Sequence, residues 1–356
     1  MDHQVKIGYS FWGFLGPGIT DTPDGGRSHR RPFIDGIIAA DHEVVFLQPN
    51  RDLTEAGDHI ADSHLFDAGL PPVDVLFLEW RWPISGRNTT ICGSPGHTCD
   101  LHRQNRLLYH YTHRAHTPTV IWDKDRQLPA HHPVRQRPNV VVCEATLTPR
   151  RGTVPLLFPL DDVLLDAADP VKLAQRERPN PLCYIGNQHG RNAAFDRYFA
   201  PAAARTRHLI AGKWTHTSRW PNLNFIGRVP FTEVASLYGQ SLATVLLLPD
   251  RYAAAGQMTQ RIFEAVLAGC LPLAPATINR VHMFVPPQLI VNSGGDTIRS
   301  LHWLDNIRGS HEHVNLLAAC LERLELFRLS RQLQNLNEML APLTANRDVQ
   351  PAGGRS

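Results

Sequence analysis

The chain has 356 residues, of which 42% are hydrophobic and 19% charged, and its formal net charge at pH 7 is +3. This length predicts two domains of roughly 150 to 180 residues each, with the composition of an ordinary globular protein. The small net charge gives no sign of the strongly basic face typical of nucleic-acid-binding proteins. No apolar run approaches the ~20 residues of a membrane span, so none is expected.

The N-terminus and the cysteines indicate the cellular compartment. The first residues lack the basic and then apolar pattern of a secretory signal, which predicts a cytoplasmic protein. The six cysteines are scattered along the chain, which argues against a disulfide scaffold and favours buried, reduced thiols. We expect a monomer or a homodimer.

Short apolar runs alternate with helical patterns over residues 1–160. A strand is predicted at residues 5–9, followed by a glycine-rich loop and a helix over residues 28–40 with Ser28 as its N-cap. Further strands are predicted at 43–47, 73–78, 119–122 and 140–143, each of the kind found in a parallel sheet covered on both faces. This half is therefore predicted to be a Rossmann-like domain.

The second half repeats the pattern. The proline-rich residues 161–181 predict a linker, and strands are predicted at 182–185, 208–210, 223–226, 243–248 and 271–274. Residues 182–312 are therefore predicted to be a second Rossmann-like domain. The amphipathic residues 313–341 predict a C-terminal helix, and residues 342–356 a disordered tail.

Residues 259–269 carry the strongest functional signal, a predicted helix with an apolar face toward the core. Free N–H groups at its N-terminus, near Thr259 and Gln260, would bind an anion such as a diphosphate. Arg261 can add a bidentate phosphate contact, and Glu264 can accept hydrogen bonds from ribose hydroxyls. The spacing is equally typical of an amphipathic helix with a surface Arg–Glu pair, and that alternative stays open.

The same segment resembles the signature of GT-B glycosyltransferases, in particular the family 4-like and CgeB-like groups. The matching residues are Thr259, Arg261, Phe263, Glu264, Ala265, Gly269 and Pro272. The resemblance implies an α/β GT-B fold, with two facing Rossmann-like domains and the C-terminal helix packing back toward the first. It also extends to the turn at Gly186 and to the loop at Arg228, which borders the nucleobase in such enzymes.

The resemblance implies a nucleotide-sugar donor site in the second half. Lys213 follows a predicted strand and could neutralise the diphosphate, or could simply be solvated. The predicted donor-binding residues are Gly186, Asn187, Lys213, Arg228, Val229, Gln257, Met258, Thr259, Arg261 and Glu264. Family 4 enzymes usually have a second acidic residue eight positions before the ribose-binding Glu. Gly256 occupies that position, so their retaining mechanism is not carried over.

The resemblance also implies that the N-terminal domain holds the acceptor. The loop over residues 13–31 is the leading candidate, because loops at the carboxyl ends of strands line the ligand crevice. Gly16, Asp21 and Arg30 are predicted to bind the acceptor, although the glycines could serve only tight turns. His29 and Arg30 could equally form an exposed first helical turn.

Four residues are candidates for catalysis, which requires the acceptor hydroxyl to be deprotonated. Glu79 and Asp123 each directly follow a predicted strand, and each could be a base, a hydroxyl-binding residue or a cap of the next turn. Asp24 and His29 are the candidates within the glycine-rich loop.

Two patterns imitate metal sites. Asp123-Lys124-Asp125 resembles the Asp-x-Asp of the other glycosyltransferase fold, GT-A, but the donor features lie in the other half, where a helix dipole and Arg replace the metal. We predict no metal, and no cofactor beyond the nucleotide-sugar co-substrate. A zinc site at Cys92, His97, Cys99 and His102 stays an alternative, although their spacing fits no standard finger.

The predicted function is transfer of a hexose or pentose from a nucleoside diphosphate to a hydroxyl of a small polar acceptor, such as a nucleoside-like natural product. A DNA-base-modifying glycosyltransferase is an alternative that would need a basic track with aromatic residues, for which residues 29–31 and 135–137 are the local hints. A sugar-nucleotide epimerase and a non-catalytic nucleotide-binding module are further alternatives. Substitution of Glu264 would abolish turnover in an enzyme and only weaken binding in a module.

Overall fold

The computed structural model describes residues 4–16, 26–61, 64–85, 88–91, 94 and 100–345. The chain divides into two compact units. The first comprises Met1–Ala145, Pro149–Pro159 and Leu329–Ser356, and the second comprises Thr146–Thr148 and Leu160–Arg328. In the part of the chain that the structure describes, no helix is both long enough and apolar enough to cross a membrane.

The strands follow the order of the chain. Those of the first unit are β1 (Lys6–Ser10), β2 (Glu43–Phe46), β3 (Leu65–Phe66), β4 (Val75–Glu79), β5 (Thr119–Asp123), β6 (Val140–Glu144) and β7 (Val154–Pro155). Those of the second unit are β8 (Asn180–Ile185), β9 (His208–Ala211), β10 (Phe225–Gly227), β11 (Ser241–Val245), β12 (Leu271–Pro275) and β13 (Ile290–Val291).

The α-helices are numbered in the same way. They are α1 (Arg27–Ala39), α2 (Asp100–Leu107), α3 (Asp162–Asp166), α4 (Pro170–Ala174), α5 (Asn192–Ala194), α6 (Ala200–Ala203), α7 (Phe231–Gly239), α8 (Asp250–Ala255), α9 (Arg261–Leu267), α10 (Gly294–Ile307), α11 (His311–Leu324) and α12 (Leu329–Ala345). π-Helical turns lie at Asp52–Ala56, Leu108–Arg114 and Phe195–Phe199. 3-10 turns lie at Pro133–Gln136, Val281–Met283, Pro287–Leu289 and Glu325–Phe327.

Each unit is built on a parallel sheet. Among the described residues, the first sheet has seven strands in the order β3-β2-β1-β4-β5-β6-β7, and the second has six in the order β10-β9-β8-β11-β12-β13. β4 and β5 are buried along their whole length, because helices and loops cover both faces of such a sheet. Both predicted Rossmann-like sheets are therefore confirmed.

The strand order determines where ligands are expected. In the first sheet the chain places β2 and β3 on one side of β1 and β4 on the other, so the order reverses between β1 and β4. In the second sheet it reverses between β8 and β11. Open parallel sheets bind ligands outside the carboxyl ends of the strands at such a reversal. The loops after these four strands are therefore the positions to search.

Helix α1 begins earlier than predicted. It starts at Arg27, with Gly26 in the N-cap position that the sequence assigned to Ser28. A Cβ atom at residue 26 would lie 2.5 Å from Nη1 of Arg30, so a glycine fits where a larger cap would clash. Phe33, Ile34 and Ile37 face the core on one side of the helix, whereas Ile38 is exposed.

The single helix predicted over residues 313–341 is wrong. α11 ends at Leu324, and α12 begins at Leu329 in the first unit, where it packs on α1. Between them Arg328 is extended, pairs with Leu160 in an isolated parallel bridge, and donates to Asp166 at 2.6 Å. These contacts interrupt the helix.

The predicted linker and tail also differ from the structure. Residues 161–181 contain α3, α4 and the first residues of β8, and α4 packs on α11 within the second unit. α12 continues to Ala345, so the first residues of the predicted tail are helical. The rest of that tail lies outside the described residues.

Candidate donor and acceptor sites

Arg261, the first residue of α9, lies against the turn that follows β8. A Cβ atom at Gly186 would lie 2.6 Å from the Cζ, Nε and Nη2 atoms of Arg261, so only a glycine leaves room for this guanidinium. The guanidinium also lies 5.8 Å from the centroid of the Tyr184 ring. Its Nη1 is buried and has no hydrogen-bond acceptor among the described residues. Arg261 thus presents an unbonded cationic donor at the strand-order reversal of the second sheet.

The loops after β8 and β9 are held together at the same edge. Gly212 has a φ of +132°, and a Cβ atom there would lie 2.3 Å from the Gly186 carbonyl oxygen. The Lys213 backbone N–H donates to Asn187 Oδ1 at 2.9 Å, and Trp214 Nε1 donates to the Gly186 carbonyl at 2.8 Å. The structure therefore brings Gly186, Asn187 and Lys213 together, with the Asn187 side chain bonded to the neighbouring loop.

The predicted nucleobase loop follows β10 on this edge. The Gly212 N–H donates to the Gly227 carbonyl at 2.8 Å, which ties the end of β10 to the β9 loop. Arg228 is exposed, whereas Val229 packs against an apolar cluster that includes Tyr238. Because they follow Gly227 directly, these two residues lie next to the Lys213 loop.

The predicted helix over residues 259–269 is shorter in the structure, where it spans Arg261–Leu267. Thr259 lies in the turn before it, and its carbonyl accepts from the Ile262 N–H at 3.2 Å. Gln257 and Met258 are buried rather than exposed to a ligand. Because so short a helix has a weak dipole, an anion at this end of the helix would depend chiefly on Arg261.

The backbone at Gly256 explains why this position carries no acidic residue. Its φ is +63°, in the left-handed region, and a Cβ atom there would lie 2.6 Å from the Asn279 carbonyl oxygen. The Asn279 N–H in turn donates to the Ala253 carbonyl at 2.8 Å, which holds that backbone in place. An aspartate or glutamate at position 256 would therefore require the backbone to move.

Glu264 is partly buried one turn after Arg261, on the side of α9 that meets α7. Burial, together with the negative charge of Glu264, raises the pKa of the Tyr238 phenol well above its ordinary value. Arg261 and Glu264 thus lie in one electrostatic environment at the start of α9.

Two buried arginines that sequence reasoning missed hold the second unit's loops and helix ends. Arg191 donates to the carbonyls of Asn187, His189 and Leu247 at 3.2, 2.7 and 3.1 Å, and burial lowers its pKa to about 10. It joins the β8 loop to the end of the β11 segment. In the sequence it is marked only by its position directly after Gly190.

Arg178 lies within the predicted linker, directly before β8. It donates to the carbonyls of Leu173, Gly239, Ser241 and Ala268 at 2.8, 3.0, 3.1 and 3.2 Å. Three of these carbonyls belong to the C-terminal ends of α4, α7 and α9, where helix carbonyls lack partners and the dipole is negative. A Cβ atom at Gly269 would lie 2.2 Å from Arg178 Nη2, which explains the glycine of the signature.

In the first unit, Glu79 ends β4 but is almost fully buried. Its carboxylate accepts from Tyr9 Oη at 2.9 Å, from Arg30 Nε and Nη2 at 2.8 and 2.6 Å, and lies 2.5 Å from Lys124 Nζ. Arg30 is therefore neither exposed to an acceptor nor part of an exposed first helical turn, as the two predictions had it, because its guanidinium is fully buried on Glu79 and the Trp12 carbonyl.

Further candidate site residues of the first unit are His29, Gly16, Asp21 and Asp24. His29 is buried, and its ring packs on Phe158 and Trp122 at centroid distances of 4.3 and 5.7 Å, so it is not an exposed first-turn residue. The Gly16 N–H donates to Asp52 Oδ1 at 2.7 Å. Asp21 and Asp24 lie outside the described residues, so their predicted roles stay predictions.

Asp123 caps the turn after β5, one of the alternatives that the sequence left open. Its oxygens accept from the Gln127 and Leu128 N–H groups at 2.7 and 2.9 Å. Burial raises its pKa to about 6, against these two hydrogen bonds. Because the carboxylate is fully buried and occupied, Asp123-Lys124-Asp125 does not present a pair of exposed metal ligands.

A pocket lies at the strand-order reversal of the first sheet. We call it the tryptophan pocket, and its lining residues are Trp12, Glu79, Trp80, Arg81, Trp82, Lys124 and Asp125. Glu79 ends β4 and the others follow β1, β4 or β5, whose carboxyl ends lie side by side in the sheet. Asp125 is partly exposed there. Sequence reasoning did not find this pocket, since its residues are widely separated along the chain.

The predicted absence of a metal stays a prediction. Within residues 4–345, apart from the gaps given above, no group of three or more His, Cys, Asp and Glu residues could hold a metal ion. Of the four candidate zinc ligands, Cys92, His97 and Cys99 lie outside the described residues.

Comparison with known proteins bears on both units. Residues 191–307 match the family model described as "Glycosyl transferase-like", and the sequence matches no curated protein. T4 phage BGT in complex with UDP and Mn2+ is 12% identical, with a TM-score of 0.61 over 94% of this chain and 99% of that chain. HepE from Anabaena in complex with UDP-glucose is 12% identical, with a TM-score of 0.57 over 95% and 100%. A glycosyltransferase from Rickettsia africae is 12% identical, with a TM-score of 0.57 over 95% of this chain and 99% of that chain.

The fold is that of the GT-B glycosyltransferases. The predicted fold class is thus confirmed. The family match begins at Arg191 and includes the whole signature at residues 259–272. Gly186 and Asn187, which contact the matched residues Arg261 and Lys213, lie just before it.

Proposed function

We propose that this protein is a glycosyltransferase that moves a hexose or pentose from a UDP-sugar to a hydroxyl of a small polar acceptor. The observation that carries the proposal is the Arg261 guanidinium, which lies against Gly186 with a buried N–H that no described residue accepts. The family match over residues 191–307 and the GT-B fold support it. The signature favours the family 4-like and CgeB-like groups, and the UDP and UDP-glucose bound to T4 phage BGT and HepE favour a uridine donor.

In this proposal the second unit binds the donor. Arg261 donates hydrogen bonds to the diphosphate, Lys213 adds a positive charge from the β9 loop, and Glu264 accepts from the ribose hydroxyls. Arg228 and Val229 border the base. As the bond between the anomeric carbon and the diphosphate breaks, negative charge grows on the leaving oxygen, and a cation fixed in advance stabilises it.

The acceptor hydroxyl must lose its proton as it attacks. Glu79 is bound by Arg30, Lys124 and Tyr9, and Asp123 caps its own turn, so neither predicted base presents a carboxylate to a substrate. Asp125 lines the tryptophan pocket and is partly exposed. We therefore assign Asp125 as the base.

The donor half is tested by thermal unfolding and calorimetry with UDP-, GDP-, ADP- and dTDP-sugars. We expect a UDP-sugar to raise the melting temperature, because a ligand that binds only the folded state stabilises it. Arg261→Met and Glu264→Gln should weaken UDP binding, whereas Arg205→Met, which removes an exposed arginine of the same unit, should not. If no nucleotide shifts the transition, the proposal fails.

The catalytic half is tested with Asp125→Asn. We expect kcat to fall by about 10²- to 10⁴-fold, the usual contribution of a general base, while UDP affinity stays unchanged. Asp41→Asn is the matched control, because Asp41 is exposed and its left-handed backbone, with a φ of +66°, accepts asparagine. Nearly wild-type kcat in Asp125→Asn would refute the assignment. UDP binding without sugar transfer to any acceptor would favour the non-catalytic module.

Modification of a DNA base is the second candidate. A structure of the DNA-modifying enzyme β-glucosyltransferase is 10% identical to this chain, with a TM-score of 0.59, and the indoles of the tryptophan pocket could stack on a base. Because transfer needs a hydroxyl, the assay includes DNA whose bases carry a hydroxyl group beside the small acceptors. Glucosylation of the DNA alone would favour this candidate.

A further inference from the structure

Arg81, in the tryptophan pocket, is a buried cation with unbonded donors. It is 3% exposed, and one guanidinium nitrogen, Nη2, donates to Ser10 Oγ at 2.9 Å and to the Phe11 carbonyl. The Nε and Nη1 atoms are buried and have no acceptor among the described residues, none of which forms an ion pair with this side chain. Buried N–H groups of a cation that lack an acceptor are unfavourable, so a fold that keeps them indicates a ligand with anionic oxygens.

The carboxylates around Arg81 do not replace such a ligand. Glu79 is occupied by Arg30 and Lys124. Asp100 attracts Arg81 electrostatically, but it makes no hydrogen bond to it. Nε and Nη1 of Arg81 are therefore left without a carboxylate acceptor among the described residues of the pocket.

The remaining lining is aromatic. Trp12, Trp80 and Trp82 are three of the seven tryptophans of the chain, and all three line this one pocket. Trp80 Nε1 is also buried and has no acceptor among the described residues, so the pocket offers a third unbonded N–H. Indole faces bind rings, and a buried indole N–H requires an acceptor atom.

We infer that the tryptophan pocket binds a ring-bearing acceptor with an anionic oxygen group, a carboxylate or a phosphate. Arg81 and the Trp80 N–H bind the anionic oxygens, and the indoles pack on the ring. That the bound molecule is an acceptor rests on the proposed function, but its binding does not.

Binding is measured by tryptophan fluorescence, without a nucleotide sugar. The probes are 4-hydroxybenzoate with its neutral amide, phenyl phosphate with phenol, and inorganic phosphate. In the wild type, at least one anionic probe should bind about tenfold or more tightly than its neutral counterpart. The benzoate pair reports a carboxylate site and the phenyl phosphate pair a phosphate site.

Four variants locate the site. Arg81→Met should abolish the preference for the anion, whereas Arg81→Lys should keep part of it because it keeps the charge. Trp82→Leu should weaken both members of a pair by similar factors. Arg114→Met is the matched control, since Arg114 is exposed and precedes β5, at the opposite edge of the sheet. Thermal unfolding of each variant confirms that it is folded.

The outcomes separate the two proposals. Equal binding of charged and neutral probes, an anion preference that survives in Arg81→Met, or no saturable binding at millimolar concentration would overturn the anion site. Binding of inorganic phosphate as tight as that of phenyl phosphate would overturn the ring site. None of these outcomes bears on the proposal that the protein binds UDP and transfers a sugar. Conversely, a wild type that binds the probes but no nucleotide would overturn only the proposed function.

Discussion

The contact between Gly186 and Arg261 gives a prediction with a calculable size. In Gly186→Ala the new Cβ atom would lie 2.6 Å from the guanidinium, whereas ordinary contact begins at 3.4 Å, so the guanidinium must retreat by about 0.8 Å. A displacement of ~1 Å in a binding group can cost on the order of 100-fold. Complete loss of a hydrogen bond to a charged group costs about 1.5–3 kcal/mol. We therefore expect UDP to bind about 10- to 100-fold more weakly to Arg261→Met, and at least about fivefold more weakly to Gly186→Ala.

Isothermal titration of UDP into the folded variants measures this effect. Gly239→Ala is the control, because a Cβ atom at Gly239 would meet nothing within 4 Å. Unfolding is followed in parallel, since the φ of +159° at Gly186 adds a conformational cost of its own. The double variant Gly186→Ala/Arg261→Met should bind UDP no more weakly than Arg261→Met alone, because the two changes remove the same interaction. Wild-type affinity in Gly186→Ala, or additive losses in the double variant, would refute the reasoning.

Three further predictions concern stability and metal dependence. Gly269→Ala should lower the free energy of unfolding in urea by about 2–5 kcal/mol, because φ is +79° and the new methyl group displaces Arg178 from its carbonyls; a nearly unchanged midpoint would contradict this. The pKa of Asp123 in the folded protein, about 6, lies above its ordinary value of 3.8. The stability that this carboxyl group contributes is therefore fully present below pH ~4 and lost as the pH rises through 6. The wild type should therefore lose up to roughly 3 kcal/mol relative to Asp123→Asn between pH 4 and 7, and parallel pH profiles would refute the shift. EDTA should leave turnover within about twofold, because in the proposed site Arg261 neutralises the diphosphate without a metal, and a loss restored by Mn²⁺ would contradict it.

Most of the fold could be predicted because its signals are local. β5, β6 and β12 are short apolar runs that the parallel sheets bury on both faces, and the sequence locates each within one residue of its observed ends. The signature at residues 259–272 likewise lies on one continuous segment. Such elements need no knowledge of their tertiary neighbours.

The parts that could not be predicted depend on contacts between distant residues. Arg30 and Glu79 are 49 positions apart, and each looks like a solvent-facing residue at the end of an element until the fold pairs them. The sequence predicts that Arg178 is part of a charged linker, although its hydrogen bonds reach carbonyls 61 and 90 residues away along the chain. The pattern of charges along the chain contains no sign of such pairing.

The distinction between structural and ligand-binding arginines follows from hydrogen bonding combined with position in the sheet. Arg30 is held on a buried carboxylate, and Arg191 on three carbonyls. Arg178 leaves one N–H unbonded, but it precedes β8 and so lies at the amino edge, where parallel sheets do not bind ligands. Arg81 and Arg261 also carry unbonded buried N–H groups, and each lies instead at the carboxyl edge beside a strand-order reversal. Because both conditions hold at these two residues, one in each unit, we place the anion of the acceptor at Arg81 and the diphosphate of the donor at Arg261.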